Sequence, residues 1–105
     1  MILAKCLGSR AMPVAAADRI AGIWLTPMLD IPEVHQGLRQ QTAPTLIVGG
    51  TRDPHWDSST AHNSGHEILE LDNADHGLEI PGNVPASLHV LTDVMTAIST
   101  FSSTL

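Results

Sequence analysis

Tyrosine is absent, phenylalanine occurs once and tryptophan twice, and only 5 lysines and arginines stand against 11 acidic residues, for a net charge of −6 with histidine neutral. Without a cationic cluster there is no groove to track a phosphate backbone, and without aromatics there is no platform for stacking bases, so nucleic acid is excluded as a partner. The single cysteine, Cys6, cannot close an internal disulfide. That removes the oxidised secreted scaffolds and points to a reducing, cytoplasmic setting. No apolar run approaches the ~20 residues of a membrane-spanning helix, so a soluble chain with no membrane role is expected. Lys5 and Arg10 interrupt MILAKCLGSR too early for a signal peptide or a lipid-anchoring segment around Cys6.

What the chain does have is 43% apolar residues and few charges in 105 residues, enough for one small domain spanning 1–105 with a thin core. Four short apolar runs recur along it: Ile2 to Ala4, Gly22 to Thr26, Thr45 to Val48 and Glu67 to Leu71. TLIV shows no alternation, as in a parallel strand buried on both faces, whereas EILEL alternates like a half-exposed edge strand. Helices are expected between them. Alanine-rich Met12 to Arg19 is one; a second starts at Asp30-Ile-Pro-Glu33, with Asp30 as N-cap and Val34 and Leu38 as its apolar stripe, and runs to about Gln41. From Pro85 onward, Leu88, Leu91, Met95 and Ile98 recur at helical spacing, with Val94 and Phe101 alongside. Pro54 to Gly65, rich in Ser, His and Asn, reads as a long functional loop. The fold class that follows is an open α/β sheet of about four mostly parallel strands with crossover helices and a C-terminal amphipathic helix.

Open α/β sheets bind ligands at the carboxyl ends of their strands. Three chemically capable residues fall there, in the order Cys6, Asp53, His76. Two have a plainer reading, a lone cysteine as a small buried hydrophobe and Asp53 before a proline as a turn former, with Asp57 a second candidate acid; His76 in ADHG is the most specific of the three. Trp56 either walls a substrate pocket or packs in the core, as does Trp24. Asp53, His55 and Asp57 alternate, and His62 and His66 are four apart, but Asn63, Ser64 and Gly65 oppose a helix there and no metal site is expected. His35, His55, His62, His66 and His89 read as surface or loop residues.

The order nucleophile, acid, histidine, with each at a strand-to-turn junction, resembles the C-terminal half of an α/β-hydrolase, and in particular the small dienelactone-hydrolase-like or esterase-like bacterial enzymes. Ala4-Lys5-Cys6-Leu7-Gly8 occupies the place of the G-x-S-x-G nucleophile elbow, LIVGGTRDP that of the strand and turn carrying the acid, and LDNADHGLEIPG that of the histidine loop. It departs from the pattern twice: Ala4 replaces the first glycine and Cys6 the serine. The resemblance implies an esterase-like hydrolase in which Cys6 attacks an ester, thioester or lactone-type acyl bond, His76 moves the proton and Asp53 orients the imidazole. The Leu7 N–H would serve as an oxyanion donor, and a second donor would come from a loop that precedes the elbow in the family. It further implies a small-molecule acyl substrate and no cofactor, and expects strands upstream of this segment. An exposed first strand would invite a homodimer or an N-terminal partner segment. Two other readings stay open: the same fold as an inactive homologue acting as a binding or dimerising module, and an unrelated small α/β binding domain.

Overall fold

The computed structural model describes all 105 residues as a single four-stranded, all-parallel sheet in the sequential order β1 (Ile2–Lys5), β2 (Gly22–Leu25), β3 (Thr45–Gly50), β4 (Glu67–Leu71). Register is continuous across it, with Ala4 beside Trp24, Trp24 beside Ile47 and Ile47 beside Ile68. Because side chains alternate across a strand, this row faces one side while Ile23, Leu46 and Val48 face the other. Two cores result. On the first face, α1 (Met12–Ala17) and α2 (Pro32–Gln40) bring Met12, Ala15, Val34 and Leu38 onto Trp24 and Ile47; on the second, α4 (Val84–Ser103) brings Val90, Val94 and Phe101 onto Ile23, Leu46, Val48 and Leu71. TLIV is buried along its whole length because both cores close over it, and EILEL lies at the sheet edge, half covered.

Two expectations are corrected, and the choice of side that periodicity left open in the last helix is decided. The long connection after β3 contains a short helix, α3 (Ser58–His62), because Asp57 caps it, its side chain accepting from the Thr60 N–H at 3.2 Å. Asp30 does not cap α2: the N-cap is Ile31, which has no side-chain cap, and the helix ends at Gln40. In α4 the stripe of Leu88, Leu91 and Met95 does not face the core, each being more than half exposed, whereas Val90, Val94 and Phe101 on the adjacent face are at most 5% exposed. The helix is apolar around more than one side, and burial goes to the side that meets β2, β3 and β4. The exposed stripe instead borders an open apolar trough of about 570 Å³, lined also by Leu25 and by the loop from Gly77 to Asn83. Beside it β1 forms the other edge of the sheet, with Leu3 and Lys5 uncovered. No helix is long and apolar enough to cross a membrane.

Candidate active site

Each of the three residues singled out in the sequence leaves the carboxyl end of a strand, and parallel register sets those ends side by side. At the end of β1 the chain turns at once into a six-residue 3₁₀ helix, Cys6–Ala11, and Cys6 takes φ = +54°, a left-handed conformation that an L-residue adopts at a cost of about 1–3 kcal/mol. Two contacts hold the turn. The buried Ser9 hydroxyl donates to the Cys6 carbonyl at 2.7 Å and accepts the Met28 N–H at 3.1 Å, tying the turn to the exit of β2. The two small residues flanking Cys6 also lie close, since a Cβ added at Gly8 would come to 3.1 Å from the Ala4 Cβ. With alanine already at 4, a side chain at 8 would crowd the turn.

Asp53 and His76 stand on two loops that are zipped together. Thr51 N–H donates to the Leu71 carbonyl at 3.1 Å and Arg52 N–H to the Ala74 carbonyl at 2.9 Å. Gly50 permits this approach, because a Cβ there would fall 2.1 Å from the Ala74 oxygen. Beyond His76, the Asp75 carboxylate accepts the N–H groups of Gly77 and Glu79, both at 3.0 Å, which curls the loop back on itself.

The three side chains converge. His76 Nδ1 lies 2.6 Å from Asp53 Oδ2, and Nε2 lies 2.9 Å from Cys6 Sγ. Asp53 has no exposed side-chain surface, and its other oxygen accepts the His55 N–H at 2.9 Å, so the carboxylate is fixed from both sides. An ionised carboxylate only accepts, so Nδ1 carries the proton donated to Asp53 and Nε2 is left to receive the thiol proton. Leu7, next after Cys6, sits in the first turn of the 3₁₀ helix, where backbone N–H groups have no intrahelical acceptor. The turn after β1 and the loops after β3 and β4 therefore bring a thiol, an imidazole and a carboxylate into one line.

The remaining candidates lie elsewhere. Trp56 is in the first-face core, its ring over Gly49 and its Nε1–H donated to Glu70 at 2.8 Å, which is the core packing that the sequence also allowed it; glycine at 49 leaves the hollow the indole fills. Asp57 caps α3. His62 faces Glu70 at 3.5 Å while His66 meets the Leu38 carbonyl at 2.8 Å, so the two do not share a ligand position.

One pair escaped sequence reasoning. His55 and Asp30, 25 residues apart, are joined at 2.9 Å beside the His76 ring. The Asp30 hydrogen bond raises the His55 pKa above its ordinary 6.5, opposed by partial desolvation and reinforced by the charges of Asp30 and Asp53. No signal in the sequence links them, since Asp30 reads as a cap and His55 as a loop residue.

No protein-family model matches the chain, and a search of curated proteins finds no match.

Proposed function

We propose that the chain carries the catalytic half of an α/β-hydrolase-like site and cleaves an ester, thioester or lactone-type acyl bond in a small-molecule substrate through Cys6, His76 and Asp53. The observation that carries this reading is the unbroken relay from the Asp53 carboxylate through the His76 imidazole to the Cys6 sulfur.

The chemistry follows from that geometry. His76 Nε2 accepts the thiol proton and Sγ attacks the acyl carbon, forming a carbon–sulfur bond; the carbonyl oxygen takes negative charge toward the Leu7 N–H. Collapse expels the alcohol or thiol, which leaves with the proton from Nε2. Water then attacks the thioester, its proton passes to His76, and the carbon–sulfur bond breaks to release the acid and regenerate the thiol. Asp53 holds the ring and stabilises its cation throughout. The steps need no cofactor, and a reducing cytoplasmic setting keeps the thiol available.

Hydrolysis of a short-chain p-nitrophenyl ester by wild type, Cys6→Ala, Cys6→Ser and His76→Ala tests the reading. Members of such a relay act as a unit, so Cys6→Ala and His76→Ala are each expected to lose on the order of a thousandfold or more in kcat/KM. Equal rates for wild type and Cys6→Ala overturn it. They would favour a second reading, a non-catalytic binding or dimerising module of the same fold, which draws on the uncovered edge of β1 and the more than half-exposed Leu3, Leu88, Leu91 and Met95 beside it.

A further inference from the structure

Beside the Asp53–His76–Cys6 relay lies a second aspartate–histidine pair. His55 Nδ1 is 2.9 and 3.1 Å from the two Asp30 oxygens, and its ring stands edge-on to that of His76, with centroids 5.3 Å apart and planes at 66°. Its backbone N–H holds the Asp53 oxygen that His76 does not use, and its carbonyl accepts the Leu29 N–H at 3.1 Å, next to Asp30. Three loops thus meet at one residue: the exit of β2 through Asp30, the exit of β3 through His55 itself, and the exit of β4 through His76.

We propose that His55, clamped by Asp30, is a positioning residue that sets the pH at which the Cys6–His76 pair gives up its first proton. The inference rests on the triad reading above and adds a control to it. The groups facing His55 are Asp30 from the β2 exit, Asp53 from its own loop and His76 from the β4 exit. Those facing His76 are Asp53, Cys6 and His55. Within this set His55 and Asp30 are the pair not used in the chemical steps, and the bond to Asp30 favours the charged form of the His55 imidazole.

The sign of each effect follows. Cys6 and His76 share protons, so the acid limb of any reaction of Cys6 reports loss of one proton from the pair, whichever member holds it. A cation beside the pair favours that loss, and an anion opposes it. The Asp30 bond keeps His55 charged to higher pH than an ordinary histidine. Replacing His55 with phenylalanine keeps an edge-on ring, removes the cation and leaves the Asp30 carboxylate unbalanced, which moves the limb to higher pH. Asp30→Asn leaves an unbalanced imidazolium at acid pH and moves the limb to lower pH. At this separation, with both rings partly solvated, each displacement is about half a pH unit.

Because Cys6 is the only cysteine, its alkylation by neutral iodoacetamide can be followed against pH in wild type, His55→Phe, Asp30→Asn and His76→Ala without any substrate. The expected result is an acid limb that depends on His76, rises in His55→Phe and falls in Asp30→Asn. A merely structural role for the pair would change both variants in the same direction or alter the rate without moving the midpoint. Where His55→Phe fails to fold, the Asp30→Asn shift decides alone. A limb that depends on His76 yet stays at the wild-type pH in the folded variants overturns the inference and leaves the triad intact. A profile unchanged in His76→Ala overturns the triad reading and the inference with it.

Discussion

At the scale of single residues, the site depends on atoms that are not there. Gly50 has no Cβ, and the space that Cβ would need is filled by the Ala74 carbonyl, whose acceptance of the Arg52 N–H holds the acid loop to the histidine loop. Gly50→Ala must therefore push backbone against backbone. It is expected to lower unfolding free energy in urea by about 2 kcal/mol or more, in the range of overpacked cores, and to lower acyl-transfer activity more than its stability loss explains, since Asp53 and His76 move apart. A variant as stable and active as wild type would show that the zipped loops are dispensable. Cys6 carries the opposite device, a side chain kept at positive φ where glycine would be relaxed. Strain of this kind persists where the surroundings impose it, here through the two hydrogen bonds of Ser9. The three relay residues were legible in the sequence because each follows an apolar run and precedes a turn. Asp30 and His55 were not, because what joins them is the meeting of two loops 25 residues apart.

Among the elements, β3 and β4 were readable from pattern alone: continuous burial in TLIV and alternation in EILEL are direct consequences of a central and an edge position. The helix over Val84–Ser103 was also readable, but its orientation was not. Its sequence offers two apolar sides, and periodicity cannot choose between them; packing against β3 and β4 chooses Val90, Val94 and Phe101. Truncation distinguishes the sides. Phe101→Ala is expected to cost about 3–5 kcal/mol, whereas Leu91→Ala and Met95→Ala should stay within about 0.5 kcal/mol in the isolated chain. Equal losses on both sides, measured by denaturant unfolding, would mean that the helix is rotated from its described position. The α3 segment was missed because its cap, Asp57, sits in a stretch whose serines, histidines and asparagine read as loop.

For the whole molecule, an excess of acidic groups makes stability a function of pH, and two carboxylates are held below their ordinary range: Asp57, first by the Thr60 N–H it accepts, and Glu70. Glu70 has its pKa lowered below the ordinary 4.5, first by a hydrogen bond from Ser58, then by Trp56, with burial opposing and His62 adding to the lowering. A carboxylate depressed in the folded state contributes stability that is full above its unfolded value and is lost as pH falls through the folded one. His55, raised above 6.5, acts in the other sense: its contribution is full below 6.5 and fades as pH rises through the folded value. Urea midpoints should therefore fall below about pH 4.5, and the fall should be shallower in Glu70→Gln. Parallel acid limbs for wild type and variant would remove Glu70 from the account. Across the molecule, the class of fold was legible because parallel strands and intervening helices follow from patterning. The trough beside β1 was not, because periodicity does not say which of the helix's apolar sides stays off the sheet.

The central claim is that Cys6 is a nucleophile that becomes acylated. The most direct test is to quench turnover of p-nitrophenyl acetate in acid, where a thioester survives, and to map the acetyl group by peptide mass. Acetyl on the Cys6 peptide of wild type, and on no peptide of Cys6→Ala or His76→Ala, is the expected result. Ester turnover with Cys6 unmodified, or undiminished in Cys6→Ala, would contradict it.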